Sequence, residues 1–337
     1  MEKKMFKYTG DTNILITGDL HINYRLSKPF EEMRLAKLKN SLKAAVNQQQ
    51  NNILILSGDI FDKPKPTYEE LAVFYDFLEE LKEDFDIYVI AGNHEELSKK
   101  KTLFDYIPQH NFTYIKYSHM YINDITLTLV GHPYLELIDI DYEMGEKKIL
   151  ISHYRSDIGF AEAEIDNNMV SEKYDMTILS DIHYDYEPYE NIIYTSSPYS
   201  IHFEKTHVWH GFVKLEITEN DYKVSRIATD FGYKVSKELL NTEVKDYLLA
   251  FVEEDTFYNL KITGELDSDT VELLRSYPNV IFSVSMDEEY TIIEEVVDEL
   301  ENGSNENILE VLENLLKEAT ELDEEVVKNG IDLLRGA

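Results

Sequence analysis

The chain contains no cysteine and only one tryptophan among its 337 residues. Without thiolates, a metal site in this protein would use imidazole, carboxylate or amide ligands, which suit hard and borderline divalent ions. The lack of cysteine also fits a reducing compartment without requiring one, because many exported proteins also lack disulfides.

Long apolar runs are missing as well. No stretch approaches the roughly eighteen apolar residues of a membrane-spanning helix, and residues 1–7 form no apolar signal core. We therefore expect a soluble, cytoplasmic protein with no membrane partner. The 43% of hydrophobic residues suffices for a full core, and the length predicts one large domain with one or two small ones.

Basic residues are scarce, with 32 Lys and Arg against 66 Asp and Glu, a net charge of −34. A nucleic-acid-binding surface usually carries a basic excess. The acid is unevenly placed, since residues 234–337 hold 27 acidic and 8 basic residues, a net charge of −19. More than half of the acidic excess thus lies outside the region of residues 1–233, where bound cations or a partner protein could provide the positive charge that phosphates need. The alternative is a surface tuned for solubility or for high internal salt.

Three polar motifs stand out in the first hundred residues: Gly18-Asp19-Leu20-His21, Gly58-Asp59-Ile60-Phe61-Asp62 and Gly92-Asn93-His94-Glu95. Each follows a short run rich in Ile, Val and Leu, which predicts buried parallel strands over residues 14–17, 53–57 and 87–91. Apolar residues at helical spacing predict helices between them, over residues 30–50 and 68–84. Such βαβ units build an open sheet that binds ligands at the carboxyl ends of its strands, where all three motifs fall.

Two further aliphatic runs, residues 148–152 and 176–180, lead into His153 and into Asp181-Ile182-His183. Five strand ends thus carry eight polar groups: Asp19, His21, Asp59, Asn93, His94, His153, Asp181 and His183. Eight donors are too many for one ion but fit two ions such as Mn, Fe or Zn. A carboxylate such as Asp59 could bridge ions about 3.5 to 4 Å apart, the spacing that serves displacement at phosphorus.

Each motif alone also has a structural reading, because Gly-Asp is common in turns and Asn-His can cap a helix. The shared order and the shared position at strand ends favour a metal site over that reading. Three other histidines, at positions 202, 207 and 210, surround Trp209 on an expected pair of strands. We expect them to pack and assign them no chemistry.

The motifs, in this order, resemble those of the calcineurin-like metallophosphoesterases. The sequence of the second motif is similar to that of SbcD, the nuclease subunit of the SbcCD complex, and of its phage-encoded relatives. In this chain it reads Gly58-Asp59-Ile60-Phe61-Asp62-Lys63-Pro64. The segment Tyr194-Thr195-Ser196-Ser197-Pro198-Tyr199 is similar to the Gly-Ser-Pro segment of those nucleases. The resemblance implies an α/β fold, an α+β sandwich of four layers, with a nuclease domain over residues 1–233 and a small βα capping domain over residues 234–290.

The resemblance also implies a role for each site residue. Asp19, His21 and His183 would hold one divalent ion, Asn93, His153 and Asp181 would hold a second, and Asp59 would bridge them. His94 would not be a ligand but would position the phosphate or protonate the leaving 3′ oxygen. The expected cofactor is a pair of manganese ions, with magnesium or iron as alternatives.

This sequence departs from the family pattern at two motifs. The family's last motif is Gly-His-x-His, whereas Ser180-Asp181-Ile182-His183 stands here. We interpret Asp181 as a substitute ligand that shifts preference toward manganese or magnesium. The third motif ends in Glu95 instead of Asp, and the Arg that phosphoprotein phosphatases carry after the second motif is absent.

The last residues predict a linker over 291–305 and two amphipathic helices over 306–337. The resemblance implies that this helix pair docks on an SbcC-like coiled-coil ATPase and that the chain forms a homodimer. The alternative is that the helices dock on their own catalytic domain. Together these features predict a manganese-dependent DNA exonuclease, with endonuclease activity as a further expectation, in an SbcCD-like repair and recombination complex.

Two other functions stay open at this point. The first is a phosphatase or small-molecule phosphodiesterase of the same fold, which the acidic composition favours. The second is a non-catalytic scaffold whose metal site has decayed, for which Asp181 is the sole support.

Overall fold

The computed structural model describes residues 5–23, 27–138, 145–159, 162–203, 209–219, 221–253 and 256–285. The predicted linker and helix pair, residues 291–337, and the last five residues of the predicted capping domain lie outside these ranges. Over the described residues the strands β1 to β17 are, in chain order, Met5–Tyr8, Thr12–Thr17, Asn51–Ser57, Asp86–Ile90, Glu96–Ser98, Lys101–Thr102, Thr113–Tyr114, Tyr117–Ile122, Ile125–Val130, Lys147–His153, Met176–Ser180, Ile192–Tyr194, Gly211–Ile217, Tyr222–Ala228, Tyr233–Leu240, Thr256–Thr263 and Val280–Ser285. The helices α1 to α5 are Lys28–Ala44, Tyr68–Leu81, Asn167–Lys173, Val244–Phe251 and Ser268–Ser276.

The predicted strands that carry the motifs all form, but they belong to two sheets and not to one. The first sheet has the order β14-β13-β2-β3-β4-β7 and holds the first three motif strands in parallel. The second has the order β1-β8-β9-β10-β11-β12 and holds the strands that lead to His153 and Asp181. The four-layer fold that the resemblance implies contains two sheets, but the local sequence does not indicate which strands are neighbours, because all five runs are buried on both faces.

The two sheets pack face to face through alternate side chains of their strands. Ile14, Ile16, Ile53 and Ile55 of the first sheet lie in one core with residues of the second, such as Leu127 and Ile151. The intervening Leu15, Leu54 and Leu56 point the other way and pack with α1 and α2. On the outer face of the second sheet, α3 and neighbouring loops cover Leu150 and Leu179. This helix, sheet, sheet, helix arrangement is the predicted α/β fold of four layers.

The helices begin and end for local reasons. Ser27 caps the amino end of α1, and Thr67 with Glu70 forms a capping box at the start of α2. Helix α1 ends at Ala44, several residues before the predicted position 50. Beyond it, the Asn52 side chain bonds the backbone of Asn47, with Nδ2 to the carbonyl at 2.8 Å and Oδ1 to the N–H at 3.0 Å, which favours a turn.

A third sheet, β15-β16-β17, is parallel and packs with α4 and α5 around Leu248, Leu260 and Leu274. The unit has the βα character expected of it, with α4, β16, α5 and β17 in alternation, but the prediction did not include β15, whose alternation of buried and exposed residues is irregular. The Phe257 ring lies 5.1 Å from the Phe30 ring of α1. Assigning this unit as a capping domain stays a prediction.

Among the described helices, none is long and apolar enough to cross a membrane.

Candidate metal centre

The eight predicted site residues lie together where the carboxyl ends of β2, β3 and β4 meet those of β10 and β11. Three groups of their side chains have donor atoms within 4.8 Å of one another: Asp19, His21 and His183; His21, Asp59 and His94; and Asp19, Asp59 and His153. Stacking of the two sheets brings these loops together, because the strand ends of both sheets open at the same edge.

The backbone of these loops is held in an unusual conformation. Four candidate residues, none of them glycine, have positive φ angles: Asp19 at 52°, His21 at 43°, Asp59 at 49° and Asp181 at 96°. Such angles are uncommon for residues with a Cβ and tend to cluster at functional sites, where the surrounding structure imposes them. Here, the first two loops are joined by N–H donors of Asp19 and His21 to the carbonyls of Gly58 and Asp59, both at 3.0 Å.

Two glycines make room for the candidate ligands. A Cβ at Gly58 would overlap the ring of His153, and a Cβ at Gly92 would overlap the carboxylate of Asp59. Gly58 also has a φ of +89°, which a side chain would strain. The glycines in front of the second and third motifs therefore allow a ligand from another strand to approach the backbone.

The first cluster consists of Asp19, His21 and His183. The Nε2 atoms of His21 and His183 are 3.2 Å apart, and His183 Nε2 is 3.7 Å from Asp19 Oδ1. Burial, together with the neighbouring His21 and His202, lowers the pKa of His183 to about 3, so its ring is neutral. Burial also raises the pKa of Asp19 well above its usual range.

This first cluster fits a cation. Among the described residues, Asp19 Oδ1 is buried without a hydrogen-bond partner, although burying an unpaired polar atom costs free energy. Two imidazole nitrogens and a carboxylate oxygen that face one another form the donor set of a divalent ion. A cation there would satisfy Asp19 and return its carboxylate to the ionised form.

The second cluster contains His153, Asn93 and Asp59. His153 donates from Nδ1 to the carbonyl of Ser57 at 2.8 Å, which directs Nε2 toward Asn93 Oδ1 at 3.2 Å and Asp59 Oδ1 at 3.4 Å. A backbone acceptor of this kind fixes the orientation of a metal-binding imidazole. Burial opposes the charge on His153, but Asp59, Asp19 and Asp181 outweigh burial and raise its pKa. A bound cation would replace that proton.

Asp59 lies between the two clusters. Its Oδ1 faces His153, whereas its Oδ2 is 3.6 Å from His21 Nε2. Burial opposes ionisation of Asp59, but His153, His21 and His94 hold its pKa below the usual range. An ionised carboxylate with one oxygen toward each cluster has the geometry of a bridging ligand.

His94 differs from the other histidines in its exposure. Its side chain is 37% exposed, compared with 1% for His153, 5% for His21 and 19% for His183. It donates from Nδ1 to the carbonyl of Asp62 at 2.8 Å, and its Nε2 lies 3.9 Å from Asp59 Oδ2. The free nitrogen therefore stands at the solvent side of the cluster, where a substrate can reach it.

Asp181 lies at the site but already has a partner. Arg155 donates to it from Nε at 2.7 Å and from Nη2 at 3.3 Å, and Asp181 Oδ1 is 3.9 Å from His153 Nε2. None of the three donor groups includes Asp181. Its role as a ligand stays a prediction. Sequence reasoning missed Arg155, for which the available signal was its place two residues after the strand-end His153.

Glu95 is a second residue whose importance sequence reasoning missed. Its buried carboxylate accepts hydrogen bonds from the backbone N–H groups of Asp59 and Phe61, both at 3.0 Å, and of Gly92 at 2.8 Å. Burial, reinforced by the charge of Asp59, raises its pKa to about 7. Glu95 therefore clamps the second motif to the third.

Replacing Glu95 with alanine is expected to reduce the free energy of unfolding by more than about 3 kcal/mol, because three buried N–H groups lose their acceptor at about 1–3 kcal/mol each. Glu95→Gln keeps one acceptor oxygen and should lose less. Urea denaturation of both variants measures the difference. Equal stability of the alanine variant and the wild type would contradict this role.

Residues 194–199, the segment similar to the Gly-Ser-Pro stretch, hold the backbone of two ligand loops through hydrogen bonds. Ser196 Oγ donates to the carbonyl of His183 at 3.0 Å, and Tyr199 donates to the carbonyl of Leu20 at 2.9 Å. His202 was expected on a strand, but it lies in a bend. Its ring centroid there is 5.4 Å from that of His183. His210 is buried and contacts two serines, while His207 lies outside the described residues.

Comparisons with known proteins agree with this geometry. A family model described as calcineurin-like phosphoesterase matches residues 12–185, a range that contains all eight candidate residues. The DNA double-strand break repair protein Mre11 of Nanoarchaeum equitans (strain Kin4-M) is 23% identical over 244 residues, which are 62% of this chain and 65% of that protein. The chain thus spans about 65% of the length of this relative.

Solved structures of phosphatases are also similar in part. A protein serine/threonine phosphatase from Saccharomyces cerevisiae matches with a TM-score of 0.38 and 12% identity, covering 67% of this chain and 84% of that one. The I115M mutant of a cold-active protein tyrosine phosphatase matches with a TM-score of 0.32 and 13% identity, covering 68% and 83%.

Proposed function

Since the chain belongs to the calcineurin-like phosphoesterases, a family of metal-dependent hydrolases, we propose that it hydrolyses phosphodiester bonds of DNA with two divalent ions. One observation carries this proposal. The two oxygens of the buried Asp59 face different histidines, His21 on one side and His153 on the other. A single carboxylate between two donor clusters is what a two-metal site for displacement at phosphorus requires.

We assign the ligands accordingly. Asp19, His21 and His183 hold the first ion, Asn93, His153 and Asp181 hold the second, and Asp59 bridges them. Bound ions supply an activated water and neutralise the charge that develops on the phosphoryl oxygens. Imidazole, carboxylate and amide donors favour manganese, with magnesium or iron as alternatives.

The chain's own residues have separate tasks in this proposal. Asp62 holds His94 through its backbone carbonyl, so Nε2 keeps one orientation toward the opening. From there His94 contacts the phosphate or gives a proton to the leaving 3′ oxygen. Glu95 and Tyr199 keep the ligand loops in place.

DNA is the substrate that the remaining observations favour. The similarity to a DNA double-strand break repair protein supports DNA as the substrate, and so does the sequence of the second motif. In the same proposal the chain is a nuclease subunit of an SbcCD-like complex in the cytoplasm, or in the host cytoplasm if a phage encodes it. The proposed partners are DNA, an SbcC-like coiled-coil ATPase bound by residues 306–337, and a second copy of the chain.

The net charge of −34 favours one rival, a phosphomonoesterase of the same fold. We expect bis(p-nitrophenyl) phosphate, a diester, to be hydrolysed with a higher kcat/KM than p-nitrophenyl phosphate, a monoester, in the presence of manganese. Steady-state rates on both substrates decide between the two functions. A clear preference for the monoester would contradict the proposed nuclease and favour the phosphatase.

A further inference from the structure

We propose that Arg155 is a substrate-binding residue whose guanidinium, held by Asp181, contacts a non-bridging oxygen of the scissile phosphate. This inference rests on the proposed function, because it assigns a phosphate contact to the same site.

The backbone of Arg155 is fixed on both sides. Its N–H donates to Glu164 Oε2 at 2.9 Å, and its carbonyl accepts from the N–H groups of Glu164 at 2.7 Å and Ile165 at 3.0 Å. The next residue, Ser156, is buried and its N–H donates to the Tyr194 hydroxyl at 2.8 Å. Arg155 is therefore anchored on the scaffold directly beyond β10, so little ordering is needed when a ligand binds.

The ion pair with Asp181 leaves part of the guanidinium available. Asp181, whose side chain is 7% exposed, takes the Nε and Nη2 donors, while the Arg155 side chain is 32% exposed. A guanidinium has five N–H donors in a fixed plane. Glu164 uses its Oε2 on the backbone N–H of Arg155. The remaining donors of the guanidinium can therefore meet an anion from solvent.

The position relative to the candidate metal centre is favourable. Asp181 Oδ1 lies 3.9 Å from His153 Nε2, and the Asp181 N–H donates to Asp19 Oδ2 at 3.3 Å. The guanidinium is thus bound to Asp181, a proposed ligand that itself lies beside His153 and Asp19. A phosphate bound at the centre would have its oxygens within reach of a side chain of this length.

The charge at this position explains why the pair belongs together. An aspartate alone would add a negative charge where the phosphate must bind. Paired with Arg155, it forms a neutral unit, as a histidine would, and holds a permanent cation whose side chain is 32% exposed beside the site. Arginine suits this task because its planar donors match phosphate geometry.

The test compares four full-length proteins: the wild type, Arg155→Ala, Arg155→Lys and the double variant Arg155→Ala/Asp181→His. The double variant matters because Arg155→Ala alone leaves Asp181 buried without its cation. Three quantities are measured, namely manganese bound per chain, the dissociation constant of inorganic phosphate by calorimetry in manganese, and kcat and KM on bis(p-nitrophenyl) phosphate.

We expect the double variant to retain manganese and to bind phosphate about 10- to 100-fold more weakly, with KM raised to match, because a hydrogen bond to a charged group is lost. Arg155→Lys should fall between the double variant and the wild type. Wild-type phosphate affinity in the double variant would overturn the inference and reduce Arg155 to a counter-ion of Asp181. If the wild type binds phosphate more tightly than the variants but hydrolyses no diester, the proposed function fails and the role of Arg155 stands.

Discussion

Replacing Asp59 with asparagine is expected to reduce phosphodiester hydrolysis by a factor on the order of 10³ or more, since metal ions contribute several kcal/mol to charge stabilisation in the transition state. Asparagine keeps one oxygen, which can still accept the bond that His94 N–H makes to Asp59 Oδ1 at 3.0 Å. It removes the negative charge and the second oxygen, so it should not hold ions on both sides. Manganese per chain, by mass spectrometry, and hydrolysis of bis(p-nitrophenyl) phosphate measure the two effects.

Asp76→Asn is a matched control, because Asp76 is exposed on α2 and belongs to none of the motifs. It should keep wild-type metal content and rate. Retention of two manganese ions by Asp59→Asn would show that Asp59 is not the bridging ligand.

Replacing His94 with alanine is expected to lower kcat by a factor on the order of 10² while leaving manganese binding nearly intact, as expected when a general acid is removed. The exposure of the His94 side chain and the hydrogen bond of its Nδ1 are the reasons to expect a loss of rate without a loss of metal. His94 is the most exposed of the four histidines, and its Nδ1 is already used on the Asp62 carbonyl. Its Nε2 lies at the edge of the cluster, 3.9 Å from Asp59 Oδ2, on a ring that solvent reaches more than the rings of His21, His153 and His183.

The matched control for His94 is His110→Ala, another exposed histidine, which packs near Tyr75 away from the centre. Rates and metal content of both variants are measured in parallel. If His94→Ala loses metal together with activity, His94 is a metal ligand and not a general acid. Its place in one donor group with His21 and Asp59 would be consistent with that result.

The fold class and the motif strands could be predicted because uninterrupted apolar runs and helical periodicity are local signals. Strand β11 has the predicted bounds, Met176–Ser180, and α2 begins at the predicted Tyr68 behind its Thr67 capping box. The four layers followed from the family resemblance and not from local patterns, because Ile14 and Leu15 are equally apolar although they face different layers. Strand β15 escaped prediction because its buried positions do not alternate regularly.

The site could be predicted to the extent that its residues follow strand ends. That rule brought together eight side chains from five strands, but it does not report which atoms they bond. Arg155 and Asp181 are 26 residues apart, and Tyr199 reaches the backbone beside His21 across 179 residues. Such contacts depend on how the two sheets are stacked, which the local sequence does not contain.

The acidic composition and the proposed substrate are compatible in this structure. Asp181 holds Arg155 beside the candidate metal centre, where three groups of donor atoms could hold metal ions. Metal ions bound there would place positive charge where a phosphate reacts, even though the chain as a whole carries a charge of −34. This arrangement predicts weak binding to nucleic acid away from the centre.

The measurement that tests the central claim most directly is the degradation of end-labelled linear duplex DNA by the purified chain in manganese, with Asp59→Asn prepared identically. The account predicts shortened products with the wild type and intact DNA with the variant. Intact DNA with a wild type that binds manganese and hydrolyses p-nitrophenyl phosphate would contradict it and identify the protein as a phosphatase.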